Sequence, residues 1–77
     1  MRHYLFVGDK GRDVHGIWEV DSEMSAARLS LQLSLMYPGF RTVSDYAADF
    51  ESFKQDHSEY DFGQMMPDPQ PNSLNRT

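Results

Sequence analysis

A small α+β domain in ββαβα order follows from three features of these 77 residues. Two β-prone runs flank a glycine-containing polar stretch near the N-terminus. A longer segment of helix formers closes on Tyr37-Pro38-Gly39, and aromatic residues then recur at helical spacing. The expected architecture is a three-stranded, mainly antiparallel sheet packed by two helices on one face.

His3-Tyr4-Leu5-Phe6-Val7 is rich in β-branched and aromatic residues and reads as the first strand. Gly8 to Asp13 is polar and turn-forming. Val14 to Val20 then alternates, with Val14, Gly16, Trp18 and Val20 on one side and His15, Ile17 and Glu19 on the other. The pair predicts an antiparallel hairpin with a loop longer than the minimal two residues, and Trp18 is expected as a core anchor.

Asp21 or Ser22 is placed to cap a helix, with Glu23 in its first turn. Met24 to Met36 carries a conflict. Leu29-Ser30-Leu31-Gln32-Leu33-Ser34-Leu35 alternates as a strand does, whereas length, capped start and Tyr-Pro-Gly stop favour helix. As a helix it has two apolar stripes: Ala26, Leu29, Leu33 and Met36 on one side, and Met24, Ala27, Leu31 and Leu35 nearly opposite. One stripe can face the sheet, and the other needs a second helix, a second copy or another protein.

Phe40-Arg41-Thr42-Val43 predicts the third strand. Ser44 can cap a second helix over Asp45–His57, in which Tyr46, Phe50, Phe53, His57 and Tyr60 form one aromatic stripe. The domain is expected to end at residue 62. Residues 63–77 read as a flexible tail, because Pro67, Pro69 and Pro71 oppose helix and ladder pairing alike.

The charge is unevenly distributed. Residues 1–44 hold five basic and five acidic groups, while residues 45–61 set six acids against Lys54 alone and so account for the net charge of −5. Phosphate recognition needs clustered Lys and Arg, so nucleic acid and anionic membrane are disfavoured as direct partners. A basic partner surface suits Asp45, Asp49, Glu51, Asp56, Glu59 and Asp61 as binding residues, with a merely solvated face as the alternative. Met65-Met66, an apolar pair beside the prolines, reads as a docking element.

Catalytic and metal chemistry find little support. There is no cysteine, which removes disulfides and thiolate zinc sites and fits a reducing cytoplasm. His3 and His15 lie on neighbouring strands and can approach across the hairpin, but further ligands are wanting. Asp56-His57-Ser58-Glu59 gathers acid, base and hydroxyl, yet consecutive helical residues point in different directions. The loop Asp9-Lys10-Gly11-Arg12-Asp13 lacks an oxygen ligand at Gly11, so it is no calcium loop, and its two cations are flanked by two aspartates. The expectation is a non-enzyme without cofactor or metal. Gly8-Asp9-Lys10 interrupts the first apolar run before signal-peptide length, and no stretch approaches the ~18 apolar residues of a membrane helix.

The succession of hairpin, helix, Tyr37-Pro38-Gly39-Phe40 turn and short strand resembles the RNA-polymerase inhibitors of podophages. The opening, with Tyr4-Leu5, Glu19-Val20-Asp21 and Ala26-Ala27, is similar to some anti-CRISPR proteins. The resemblance covers roughly residues 1–44. It implies a class: small acidic phage or mobile-element proteins that bind and inhibit a larger protein or nucleoprotein complex. The arginines of the inhibitor family's last strand are not matched, since Arg41 is the only basic residue nearby, and no binding residue is carried over. An antitoxin-like partner masking a basic toxin and a structural homodimer are the rival expectations.

Overall fold

The strand Arg2–Gly8 (β1) runs through the middle of the molecule, and every residue from His3 to Gly8 is buried, with Arg2 alone exposed. The computed structural model describes residues 1–69. The elements that follow are Val14–Val20 (β2), Glu23–Met36 (α1), Arg41–Ala47 (β3), Phe50–Asp56 (α2) and Asp68–Pro69 (β4). They form an α+β fold with one four-stranded sheet in the order β3-β1-β2-β4. β1 pairs antiparallel with both β2 and β3, and β4 pairs parallel with β2.

The side chains of a strand alternate between faces, and in β1 both faces are apolar. Leu5 and Val7 pack with Val20, Ala26, Leu29 and Leu33 beneath α1. Tyr4 and Phe6 pack with Ile17, Ala47, Phe50, Phe53 and Phe62 on the other side. The two helices therefore cover opposite faces of the sheet, which corrects the expectation that both lie on one. A continuous apolar run such as Tyr4-Leu5-Phe6-Val7 is the pattern of a strand buried on both faces.

The alternation of β2 breaks near its start. Val7 pairs with Gly16 and Gly8 with Val14, so His15 is the extra residue of a bulge. Val14 consequently joins Ile17 on the α2 face, while Trp18 and Val20 lie on the α1 face. Trp18 is half-buried with its indole laid over Gly16, where an added Cβ would sit 2.4 Å from the ring.

α1 starts as expected, with the Ser22 hydroxyl accepting from the Ser25 N–H at 3.0 Å, and it ends at Tyr37. Gly39, at φ +89°, supplies the left-handed residue that the turn needs. The third strand is longer than its expected range. Ser44, Asp45 and Tyr46 pair with Leu5, Tyr4 and His3 instead of opening a helix, because β1 offers a ladder along its whole length. The helix cap passes to Asp49, whose carboxylate accepts from the Ser52 N–H at 2.8 Å.

The chain beyond residue 62 also departs from its expected form. Met65 packs against the aromatic cluster, and Asp68–Pro69 completes the sheet as an edge strand, where the missing proline N–H can be tolerated. Pro71 lies outside the described residues.

Candidate functional site

α1 is the element whose surface is least accounted for by the fold. Among its 14 residues, Ala26, Leu29 and Leu33 are buried, which is the inward stripe read from the sequence. Met24, Leu31 and Leu35 on the other stripe are 68%, 65% and 76% exposed, and Ala27 between them is exposed as well. Spacings of three, four and four residues keep these side chains on one ridge of the helix. Met36, at the end of the inward stripe, is itself exposed. α2 cannot cover the ridge, because it sits across the sheet. Arg28 and Glu23 are the only charged residues of α1, so the ridge is apolar and nearly uncharged.

The acidic residues singled out above are distributed among several local tasks. Asp45 accepts from His57 Nε2 at 3.1 Å. Asp49 caps α2, and the Ser52 N–H donated to its carboxylate lowers its pKa. Glu51 pairs with Lys54 at 3.0 Å, and Asp61 accepts from the Gly63 N–H at 2.9 Å. Asp56 and Glu59 are exposed and have no hydrogen-bond or ion-pair partner among the described residues. The six carboxylates thus do not form one helix face, since only Glu51 and Asp56 lie within α2.

Tyr46 was expected in the buried aromatic stripe, but as a β3 residue it lies on the α1 side and is 43% exposed. Its ring stacks on His3 at 4.2 Å, and its hydroxyl donates to Glu23 at 3.0 Å, tying β3 to the first turn of α1. Phe50 and Phe53 are buried as the spacing implies, with His57 against Phe53 at 4.7 Å. Met65 and Met66 separate: the first is half-buried in the core and the second is 73% exposed.

The histidines do not meet. His3 pairs with Val20 at one end of the hairpin, while His15 lies at the bulge near the other and bonds Asp9 at 2.8 Å. His57 is oriented by Asp45, and Ser58 is not part of that pair. Among the described residues, no three His, Asp or Glu side chains gather as metal ligands would. Nor is any described helix long and apolar enough to cross a membrane.

No protein family, curated protein or solved structure matches this chain in sequence or in fold.

Proposed function

We propose that this chain is a non-catalytic binding protein that docks the outer ridge of α1 into an apolar groove on a larger protein and thereby inhibits it. The single observation behind this reading is the exposure of Met24, Leu31 and Leu35 on one ridge of a well-capped helix. Amphipathic helices are read by partners through anchors at this spacing. The inhibitory sense, and a phage or mobile-element setting, rest on the resemblance to small phage inhibitors.

Charge favours a partner other than a second copy. Each copy has a net charge of −5, so self-association brings like charges together, whereas a larger protein with a basic surface is attracted.

The test is cross-linking and capture with the wild-type chain, a Leu31→Gln/Leu35→Gln variant and an Asp56→Asn/Glu59→Gln variant. The ridge variant should lose the captured protein while keeping its fold, and the cross-links should map to α1. The acid variant should associate more slowly and show a weaker salt dependence. A concentration-dependent dimer in sedimentation, abolished by the ridge variant, would replace the heterologous partner with a second copy.

A further inference from the structure

A cavity of about 580 Å³ opens at the end of the sheet away from His3, between the hairpin loop, the turn after α1 and the segment after α2. Three of the chain's seven Lys and Arg residues, Lys10, Arg12 and Arg41, line it. None of the three forms a salt bridge among the described residues, although the chain as a whole is acidic. The register of β1 with β3 makes this cluster, since Gly8 pairs with Arg41 and so brings it beside the loop that carries Lys10 and Arg12.

The acids around the cavity oppose these cations less than their number suggests. Both carboxylate oxygens of Asp9 are engaged, one by the Asp13 N–H at 3.0 Å and the other by His15 Nε2 at 2.8 Å. The bond from His15, with the backbone N–H of Asp13, holds the Asp9 pKa below its ordinary value. Glu59 is the remaining acid in the lining.

Arg12 is the one non-glycine residue at positive φ, +71°, among those described. A side chain there costs conformational energy that glycine avoids, and such strain concentrates at functional sites. The surrounding backbone fixes it. Arg12 N–H donates to the Asp9 carbonyl at 3.1 Å, and its own carbonyl accepts from the Asp61 N–H at 2.7 Å. A strained arginine is thus held at the mouth of a cavity that two other unpaired cations line.

Two aromatic rings complete the walls. Tyr60 packs directly on Gly8, where an added Cβ would lie 2.6 Å from the ring. Phe40 leans on His15 at 4.8 Å and on Tyr37 at 5.7 Å, yet the residue remains 39% exposed. The volume lies within the range of small-molecule sites.

We infer that this cavity binds a nucleoside phosphate, with Lys10, Arg12 and Arg41 on the phosphate oxygens and Phe40 against the planar base. Guanidinium groups pair bidentately with phosphate, and an aromatic ring accepts any base by stacking. The site is distinct from the α1 ridge and does not rest on the docking role proposed above.

Calorimetric titration of the full chain with each of the four ribonucleoside triphosphates, at low salt, tests the inference. At least one should bind and raise the melting temperature in a concentration-dependent way. Arg41→Gln and Arg12→Gly should each weaken that binding about tenfold, the loss of one charge-assisted contact. Arg12→Gly removes the guanidinium while suiting the φ of +71°, and an unchanged melting temperature without ligand separates its effect from unfolding. Glu59→Gln should act in the opposite sense and tighten binding. Phe40→Ala should weaken the triphosphate about fivefold or more and leave inorganic phosphate unaffected. Absence of binding by all four triphosphates at millimolar concentration overturns the inference. So does binding that Arg12→Gly and Arg41→Gln leave unchanged, or inorganic phosphate binding as tightly as the triphosphate.

Discussion

The two faces of the sheet are built from different materials and are completed to different degrees. On the α2 face, Tyr4, Phe6, Phe50, Phe53 and Phe62 meet mostly edge-to-face or tilted, with centroids such as Phe6–Phe62 at 5.1 Å and Tyr4–Phe53 at 5.0 Å. A helix of only seven residues is unstable alone, so α2 exists because this cluster buries it. On the α1 face, aliphatic side chains pack under a helix twice as long that buries only three of its residues. One face closes within the chain, while the other ends in an apolar ridge. A small domain with limited core volume has a reason to bury such a ridge if it can, so its exposure needs an explanation outside the fold.

The sharpest way to break this contrast is Phe53→Ala. Phe53 is fully buried at the centre of the aromatic cluster, and its removal should cost about 3–5 kcal/mol. That is a large part of the ~5–15 kcal/mol available to a small domain, so denaturant titration should find the variant mostly unfolded or barely folded. Leu33→Ala, the matching change beneath α1, should cost about 2–5 kcal/mol, with the lower half of that range expected because α1 can settle toward the sheet. Equal losses at both positions would weaken the view that the aromatic face dominates stability.

Gly39 and Gly63 compare the turns that follow the two helices. Both are at positive φ, +89° and +58°, and an added Cβ at either would meet nothing within 4 Å. Alanine should therefore cost about 1–2 kcal/mol at each site through backbone strain alone. A much larger loss at either one in thermal melts would reveal packing that the open turn does not show.

Alkaline pH should separate the faces further. The Tyr4 hydroxyl, facing α2, is held above its ordinary pKa chiefly by burial and then by the Glu19 charge. Tyr46, on the α1 side, is raised by partial burial and by its bond to Glu23. A raised folded-state pKa gives stability that is complete below the unfolded value near 10 and is lost as pH rises through the folded value. Tyr4→Phe should flatten the alkaline fall in melting temperature more than Tyr46→Phe, because Tyr4 is buried and Tyr46 is 43% exposed. Acid pH works through Asp49 and Asp9, both lowered by hydrogen bonds from N–H donors, so their stabilisation is present above the unfolded pKa near 4 and is lost as pH falls. Asp49→Asn should make the acid limb shallower.

Much of this contrast was legible in the sequence, and what was not has physical causes. The hairpin, the Ser22 cap, the two-striped helix and the Phe50/Phe53 stripe follow from local periodicity and capping, which the tertiary fold left in place. The continuous run Tyr4 to Val7 already carried the signal that the helices take opposite faces, since such a run is apolar on both sides. β3 outran its expected end because pairing with β1 overrode the helical reading of Ser44-Asp45-Tyr46. The cavity was less visible: Lys10 and Arg12 stood beside two aspartates in the sequence. Only the bulge at His15, which turns that side chain onto Asp9, and the Gly8–Arg41 register change the balance.

The smallest expected effect on stability is also the most informative about the ridge. Leu31 and Leu35 are each about two-thirds or more exposed, so Leu31→Gln/Leu35→Gln removes apolar side chains that contribute little burial within the chain. Glutamine has nearly the same helix propensity as leucine, and the Ser22 cap and inward stripe are untouched. The change in unfolding free energy should stay within about 0.5 kcal/mol, as for surface substitutions that disturb no cap or core. Leu31→Pro at the same position should instead cost about 3 kcal/mol or more, because it removes a helical hydrogen bond and clashes with the preceding turn. The pair of variants separates the helix from its outer ridge: one breaks the element and the other changes only its surface. A loss above about 2 kcal/mol in the glutamine variant would mean that the ridge is covered by the chain itself or by a second copy, and the argument for a larger protein partner would fall with it.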